Sequence, residues 1–271
     1  MTTEKVIIIG GKGRLATELR RCFQVQVISL SHADLDVRDR DKCVRTLLRL
    51  AGSEVTVINC AAILTLASGT NPDLAWSING AGALNVSYAA AFVGARVVYI
   101  STDYVFSGSD CPANGYQEYD RRPRRPVNEY GYSKIEGEDG TLAYERSLVL
   151  RAPFRYGPPW IYDNAFTDQF TSAQWISEAA ACIAQAALSD LTGILHIGGK
   201  RQSLYDLATS VPSVRSIRPS LRAEWTGLAL PRDTSLNCER WNNWLKSKYA
   251  NGGVVESTEP YIVGESGRRS A

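Results

Sequence analysis

The sequence predicts an α/β fold, a parallel sheet wound with helices on both faces and followed by a smaller C-terminal lobe. Three observations carry that expectation. Short β-branched runs alternate with helical spacings across residues 5–100, the pattern of a parallel sheet covered by helices. The first run breaks at Gly10-Gly-Lys-Gly13 and passes directly into a helical spacing. After residue 101 the spacing loosens, and prolines and aromatics accumulate.

The elements follow in order. Lys5-Val-Ile-Ile-Ile9 is a β-branched run that reads as a buried parallel strand. Leu15, Leu19 and Phe23 share one face of a first helix. Val25 to Leu30 is the second strand, and residues 39–51 form a second helix carrying Cys43, Leu47, Leu48 and Ala51. Val55 to Cys60 is the third strand. Asn71-Pro72-Asp73 is a start signal for a long alanine-rich helix from Leu74 to Val93. Arg96 to Ile100 is the fourth strand. Further on come a long loop over 108–128, a helix over 130–144 and a strand at 148–151. An irregular aromatic stretch over 152–171, a helix over 172–188, a strand at 194–197 and short helices within 203–250 complete the reading. Residues 251–271 are rich in Gly, Ser and Glu and read as a flexible tail.

Composition bounds the rest. A chain of 271 residues with 44% hydrophobic and 21% charged residues is an ordinary globular protein of one large or two small domains. Its core needs no disulfide support at this size. A net charge of +2 gives no general basis for binding nucleic acid or a membrane surface. No apolar run approaches the ~20 residues of a membrane span, and Met1 to Lys5 is polar and leads into a strand, so no secretory signal is expected. The six cysteines are scattered without a Cys-x-x-Cys pair. The expectation is structural thiols, no metal site and a reducing cytoplasm.

The first loop is suited to a dinucleotide. Gly10 and Gly13, with Ala16, give G-x-x-G-x-x-A between a strand and a helix. Glycine allows the tight turn and lets backbone N–H groups approach a pyrophosphate, which the helix N-terminus also favours. The sheet is therefore expected to be of the Rossmann type. An NAD site usually ends the second strand in an acid that binds the ribose 2′-hydroxyl. Here Leu30-Ser31-His32 has none, whereas Lys12, Arg14 and His32 could meet a 2′-phosphate. NADPH is the expected cofactor, with NADH as the alternative. Asp36, in Leu35-Asp-Val37, stands where a carboxylate could accept from the adenine amino group.

Tyr130-Gly-Tyr-Ser-Lys134 is the only Tyr-x-x-x-Lys in the chain. On a helix the two side chains share a face one turn apart. A neighbouring ammonium would lower the phenol's ordinary pKa of about 10. Thr102 lies at the carboxyl end of the fourth strand, where ligands bind in such sheets. Thr102, Tyr130 and Lys134 are the candidate catalytic set.

Ser101-Thr-Asp-Tyr-Val-Phe106, with Tyr130-Gly-Tyr-Ser-Lys134 and the Gly10–Gly13 loop, resembles the extended short-chain dehydrogenase/reductases. Within them it is most similar to the dTDP-4-dehydrorhamnose reductase family, over residues 5–248. Asn59-Cys-Ala-Ala62, Asn79, Glu118-Tyr-Asp120 and Asp168-Gln169 support the resemblance. It implies catalytic roles for Thr102, Tyr130 and Lys134. It also implies that Gly10, Gly13, Arg14, Leu15, Asp36, Val37, Ala61, Ala62, Tyr130 and Lys134 line the cofactor. The implied reaction is hydride transfer from NAD(P)H to the C4 ketone of a nucleotide-linked 6-deoxy-hexulose. The implied organisation is an NAD(P)-binding domain over 1–150, a shortened substrate-binding lobe over 151–250 and the tail. A homodimer is left open.

The chain departs from that family in its lobe. Only Ala152 to Thr167 fills the place of a helix and strand, Thr171-Ser-Ala-Gln174 replaces Gly-x-Pro-Thr, and Pro231 is followed rather than preceded by arginine. Two other readings therefore stay open. One is a nucleotide-sugar epimerase or dehydratase of the same fold, although Tyr104 follows Asp103 where dehydratases carry Glu. The other is a non-catalytic, cofactor-binding regulatory subunit, since the methionine adenosyltransferase regulatory subunit is similar to the same reductases. Arg121-Arg-Pro-Arg-Arg125 is either a site for a substrate diphosphate or a solvated basic loop. Trp160, Tyr162 and Phe166 either stack on a base or seal the lobe.

Overall fold

The computed structural model of the chain describes residues 5–50, 54–120, 125–212 and 216–250. Of the arginine run only Arg125 falls within them, and the expected tail lies outside the described residues. Six parallel strands form the central sheet: β1 (Lys5–Ile9), β2 (Gln26–Leu30), β3 (Val55–Asn59), β4 (Arg96–Ser101), β5 (Ser147–Arg151) and β6 (Gly193–His196). Their spatial order is β2-β1-β3-β4-β5-β6, all in parallel pairing. This is the doubly wound Rossmann-type architecture.

Alternation along the strands divides the core. Val6, Ile8, Ile58, Val98, Leu148 and Leu150 point to one face. There they meet Leu15 and Leu19 of α1 (Arg14–Cys22), and Ile183 of a helix labelled below. Ile7, Ile9, Val57 and Val97 point to the other face. There they meet Leu47 of α2 (Arg40–Leu50) and Val86 of α3 (Gly82–Phe92). Burial on both sides explains why these strands read as continuous apolar runs.

Two helical expectations change. The segment expected to be one helix over 74–93 is broken by a π-helical turn at Trp76–Ala81, between a short helix Pro72–Ala75 and α3. Such turns often mark functional sites, and this one presents Asn79, which is fully buried. The helix expected from Ser172 begins at Ile176 instead, as α5 (Ile176–Ala187). Gln174–Trp175 is a strand paired with Phe154–Arg155, and the backbone N–H of Trp175 donates to the Glu178 carboxylate at 3.2 Å. That bond sets the helix start after Trp175.

The stretch expected to be irregular holds short strands of its own. Asn164–Phe166 pairs with Arg218–Ser220, and Phe170–Thr171 with Gln202–Ser203. Around them Trp160, Ala165, Trp175, Leu204, Leu207 and Ile217 form a separate small core. Trp160 is buried in that core against Trp175, whereas Tyr162 is exposed. The chain then returns to the main sheet for β6, and α6 (Glu239–Ala250) places Trp241 in the core that α1 and α5 share.

Among the described residues, no helix is long and apolar enough to cross a membrane. Nor does any group of three His, Cys, Asp or Glu residues there have the placement to hold a metal ion.

Candidate active site

Chain direction reverses across the sheet between β1 and β3, because β2 lies on one side of β1 and β3 on the other. A crevice opens at such a point, outside the carboxyl ends of the strands. In register there stand Ile9, Asn59, Ser101, Arg151 and His196 or their immediate neighbours.

Gly10 leaves β1 with φ of 81°. A Cβ there would lie 2.7 Å from the backbone N of Ala61, so only glycine fits this turn. The turn closes with Gly13 N–H donating to Gly10 O at 2.9 Å. Gly13 caps α1 with no side-chain hydrogen bond, and no acidic side chain sits in the helix's first turn. Its first amides are thus left to a ligand, with the favourable partial charge of a helix N-terminus. Asn59 accepts from Ala61 N at 3.1 Å through Oδ1, while its Nδ2 is buried with no partner. These features fit a dinucleotide pyrophosphate.

The catalytic candidates sit on β4 and on α4 (Glu129–Leu142), which Asn128 caps by accepting from Gly131 N at 3.1 Å. The helix lies close against the π turn and β4. A Cβ at Gly137 would run into the Asn79 carbonyl and the Tyr99 hydroxyl. Asn79 ties three segments together: it donates to Ile63 O at 2.9 Å and Ser133 Oγ at 3.0 Å, and accepts from Ile63 N at 2.8 Å. Lys134 is buried. Its Nζ donates to Ile100 O at 2.7 Å and lies 3.9 Å from the centre of the Tyr99 ring. Burial draws its ammonium down to about 7, against the opposing pull of Glu138.

Tyr130 is half-buried on the same helix face, edge-on to Tyr104 at 6.1 Å between ring centres. It shares a hydrogen bond with the Thr102 hydroxyl. The expectation that a neighbouring ammonium lowers its pKa is corrected. Burial dominates and pushes the phenol above its ordinary value, with the Thr102 bond opposing. The phenol therefore stays protonated at neutral pH.

Thr102 donates to Asp103 Oδ1 at 3.2 Å and accepts from Tyr104 N at 3.2 Å. Asp103 is buried, and its Oδ2 accepts from Thr171 at 3.2 Å and also from Thr234. Burial raises this carboxyl's pKa, while the charge of Arg155 and the hydroxyl bonds oppose the rise. Gln169 donates to the Tyr104 hydroxyl at 3.3 Å, and its Oε1 is buried with no partner. Asp103 thus joins the small lobe to the strand end that carries Thr102. Sequence reasoning passed over Arg155 and gave Asp103 no part of its own.

Behind this face lies a second polar layer. Glu138 accepts from Ser101 Oγ at 2.6 Å and from Arg151 Nε at 2.8 Å and Nη2 at 2.7 Å. Arg151 Nη1 lies 3.3 Å from His196 Nε2. Both members of the ion pair are buried.

The remaining cofactor candidates have varied settings. Ala61 abuts the Gly10 turn, and Ala62 follows it, half-buried. Leu15 and Val37 place their side chains in the two cores, so only their backbones are free for a ligand. Arg14 is exposed and lies over the Tyr156 ring at 4.3 Å. Asp36 is held by Arg38 at 2.6 Å, and the bonds to that guanidinium bring its carboxyl down to about 2. His32 lies 4.0 Å from Asp36. At the end of β2 the Ser31 hydroxyl donates to Asp34 at 2.6 Å, an acid the sequence reading did not weigh.

A family model described as the RmlD substrate binding domain matches residues 4–248. The chain is 30% identical over 223 residues to dTDP-4-dehydrorhamnose reductase of Sinorhizobium fredii, across 73% of this chain and 74% of that one. It is 28% identical over 234 residues to methionine adenosyltransferase 2 subunit beta of Bos taurus, across 74% of this chain and 68% of that one. A solved dTDP-4-dehydrorhamnose reductase from Clostridium acetobutylicum superposes with a TM-score of 0.77 at 25% identity, covering 91% of this chain and 99% of that one. Another, from Bacillus anthracis in complex with NADP, superposes at 0.76 with 23% identity, covering 94% of each.

Proposed function

The chain belongs to the RmlD substrate binding domain family, and from that membership we propose that it is an NAD(P)H-dependent ketoreductase acting on a nucleotide-linked sugar. The substrate is the C4 ketone of a nucleotide-linked 6-deoxy-hexulose, as the names of its reductase relatives suggest. The cofactor is NADPH, with NADH as the alternative. The lobe around Trp160 and Trp175 takes the sugar nucleotide, and residues 1–150 supply most of the cofactor site. The observation that carries the reading is the convergence of Thr102, Tyr130 and Lys134 beside the Gly10 turn.

When bound, the cofactor supplies the hydride. The protein's own groups do the rest. The amides of the Gly10–Gly13 turn and of α1 hold the pyrophosphate. Lys134 is placed to hold the nicotinamide ribose and so to fix the reacting face. Thr102 orients the substrate carbonyl together with Tyr130. Hydride addition at C4 moves the carbonyl π electrons onto oxygen, and Tyr130, protonated because burial raises its pKa, gives its proton to that oxygen. The ring of Tyr104 and the small lobe shield the site from water.

The test is NADPH oxidation, followed by absorbance, with a panel of nucleotide-linked 4-keto-6-deoxy sugars. Turnover with one of them supports the reading. NADPH binding with silence across the panel overturns it. The second reading, a cofactor-binding regulatory subunit, is favoured by relatives named as a subunit of methionine adenosyltransferase. It predicts that silence together with tight association with such an enzyme.

A further inference from the structure

The reaction above uses Thr102, Tyr130 and Lys134 but gives no work to the ion pair behind them. Glu138 and Arg151 are buried. Burying an ion pair is costly, and replacing one with apolar side chains of similar size is often neutral or stabilising. Fold stability alone therefore does not account for this pair.

Its placement suggests what does. Glu138 lies one turn beyond Lys134 on α4, on the same helix face. Its carboxylate is gripped from β4 by Ser101 and from β5 by Arg151, two residues that face each other in register. Lys134 donates to the carbonyl of Ile100, the residue before Ser101. The same strand end thus anchors both side chains.

We propose that Glu138 is the positioning residue of Lys134: clamped by Ser101 and Arg151, it sets the rotation of α4 and supplies the counter-charge of the buried ammonium.

The other groups around Lys134 cannot supply that charge. From β4, the Tyr99 phenol is pushed well above its ordinary value by burial. At the end of β3, burial pushes the Cys60 thiol up to about 12. On α4 itself, Tyr130 is also raised by burial. From β6, burial draws His196 down to about 3, so it is neutral, and from β5 Arg151 is a cation. Glu138 is the carboxylate among them, and its charge opposes the desolvation of Lys134.

The inference rests on the reductase reading only for what Lys134 does in turnover, so the first readout needs neither substrate nor cofactor. The full chain carries ¹³C-labelled lysine, and the side-chain Cε resonances are titrated. Lys134→Met identifies the Lys134 signal. In wild type its midpoint is expected at about 7. Glu138→Gln should lower it by about one pH unit or more, a tenfold loss in proton affinity, and Glu138→Asp should restore much of it. If the single variant fails to fold, Glu138→Leu with Arg151→Met leaves no unpaired charge and should still lower the midpoint. An unmoved midpoint in the folded variant overturns the proposal. NADPH oxidation across pH is the second readout. A shifted midpoint with no turnover in wild type would fault the reductase reading alone. Intact turnover with an unmoved midpoint would fault this inference alone.

Discussion

Thr102 gives its hydroxyl proton to Asp103, 3.2 Å away, so toward Tyr130 its oxygen can only accept. The phenol proton is therefore directed along a chain from Tyr130 to Thr102 to Asp103, and a substrate carbonyl has to intercept it. Asp103 itself is held by Thr171 and Thr234. Asp103→Asn weakens an acceptor that serves three hydroxyls. Bonds to charged groups contribute about 1.5–3 kcal/mol, so kcat is expected to fall roughly 10- to 100-fold with a smaller change in KM. Steady-state kinetics of the purified variant check this, and an unchanged kcat would remove Asp103 from the chain.

Tyr130→Phe removes the proton donor and leaves the ring against Tyr104. Turnover is expected to fall about 10²- to 10⁴-fold, the usual share of general acid catalysis. NADPH affinity, measured by fluorescence titration, is expected to stay within about twofold of wild type, within the scatter of a single hydrogen bond. Wild-type turnover in this variant would show that another group delivers the proton.

NADPH is expected to bind more tightly than NADH. Arg14 is exposed at the first position of α1, while Asp34, the nearest acid at the end of β2, is engaged by Ser31. Arg14→Ala should narrow the gap between the two dissociation constants. Equal affinities in wild type would contradict the assignment.

Gly10→Ala meets both a positive φ and a backbone collision at Ala61. A non-glycine residue in that conformation costs about 1–3 kcal/mol. The urea midpoint should drop, and NADPH affinity should drop with it, because the pyrophosphate turn is displaced. A variant as stable as wild type, with normal affinity, would show that the turn is not constrained as described.

His196 makes stability depend on acid. Its folded value of about 3 lies below the ordinary 6.5 because of burial and the nearby Arg151 charge. Between those values the unfolded chain binds a proton that the folded chain refuses. Stability therefore falls as pH drops from 6.5 toward 3 through this residue. His196→Asn cannot titrate. Denaturant unfolding at pH 7 and pH 4.5 should show a smaller acid loss in the variant than in wild type, and equal losses would refute the linkage.

The sheet was legible because its strands are buried on both faces and their helices are amphipathic. Strand and helix positions up to β5 follow from periodicity to within a residue or two at most ends. The π turn was not legible, because what fixes it is Asn79 bonding to Ile63 and Ser133, residues 16 and 54 positions away. The strands at 154–155, 164–166 and 170–171 are too short to show a period. At the site, Tyr130 and Lys134 stood out because both lie on one helix, and Thr102 because it ends a strand. The partnership of Glu138 with Arg151 spans a helix and a strand and has no local signature. Asp36 illustrates the converse: its position suggested a ligand contact, yet Arg38, two residues on, already occupies the carboxylate.

The sixth strand has a consequence for how the molecule can be divided. β6 pairs along the outer edge of β5, and α5 and α6 cover the same side of the sheet. A fragment ended after residue 150 would expose the hydrogen-bonding edge of β5 together with the apolar face beneath those helices. Unpaired edges of this kind recruit other chains. The nucleotide half therefore cannot be cut free at the point where the sequence changes character. The sugar-binding lobe is an excursion that the chain makes before closing the sheet, so circular permutation or excision of the lobe is a better route to a minimal cofactor domain than truncation.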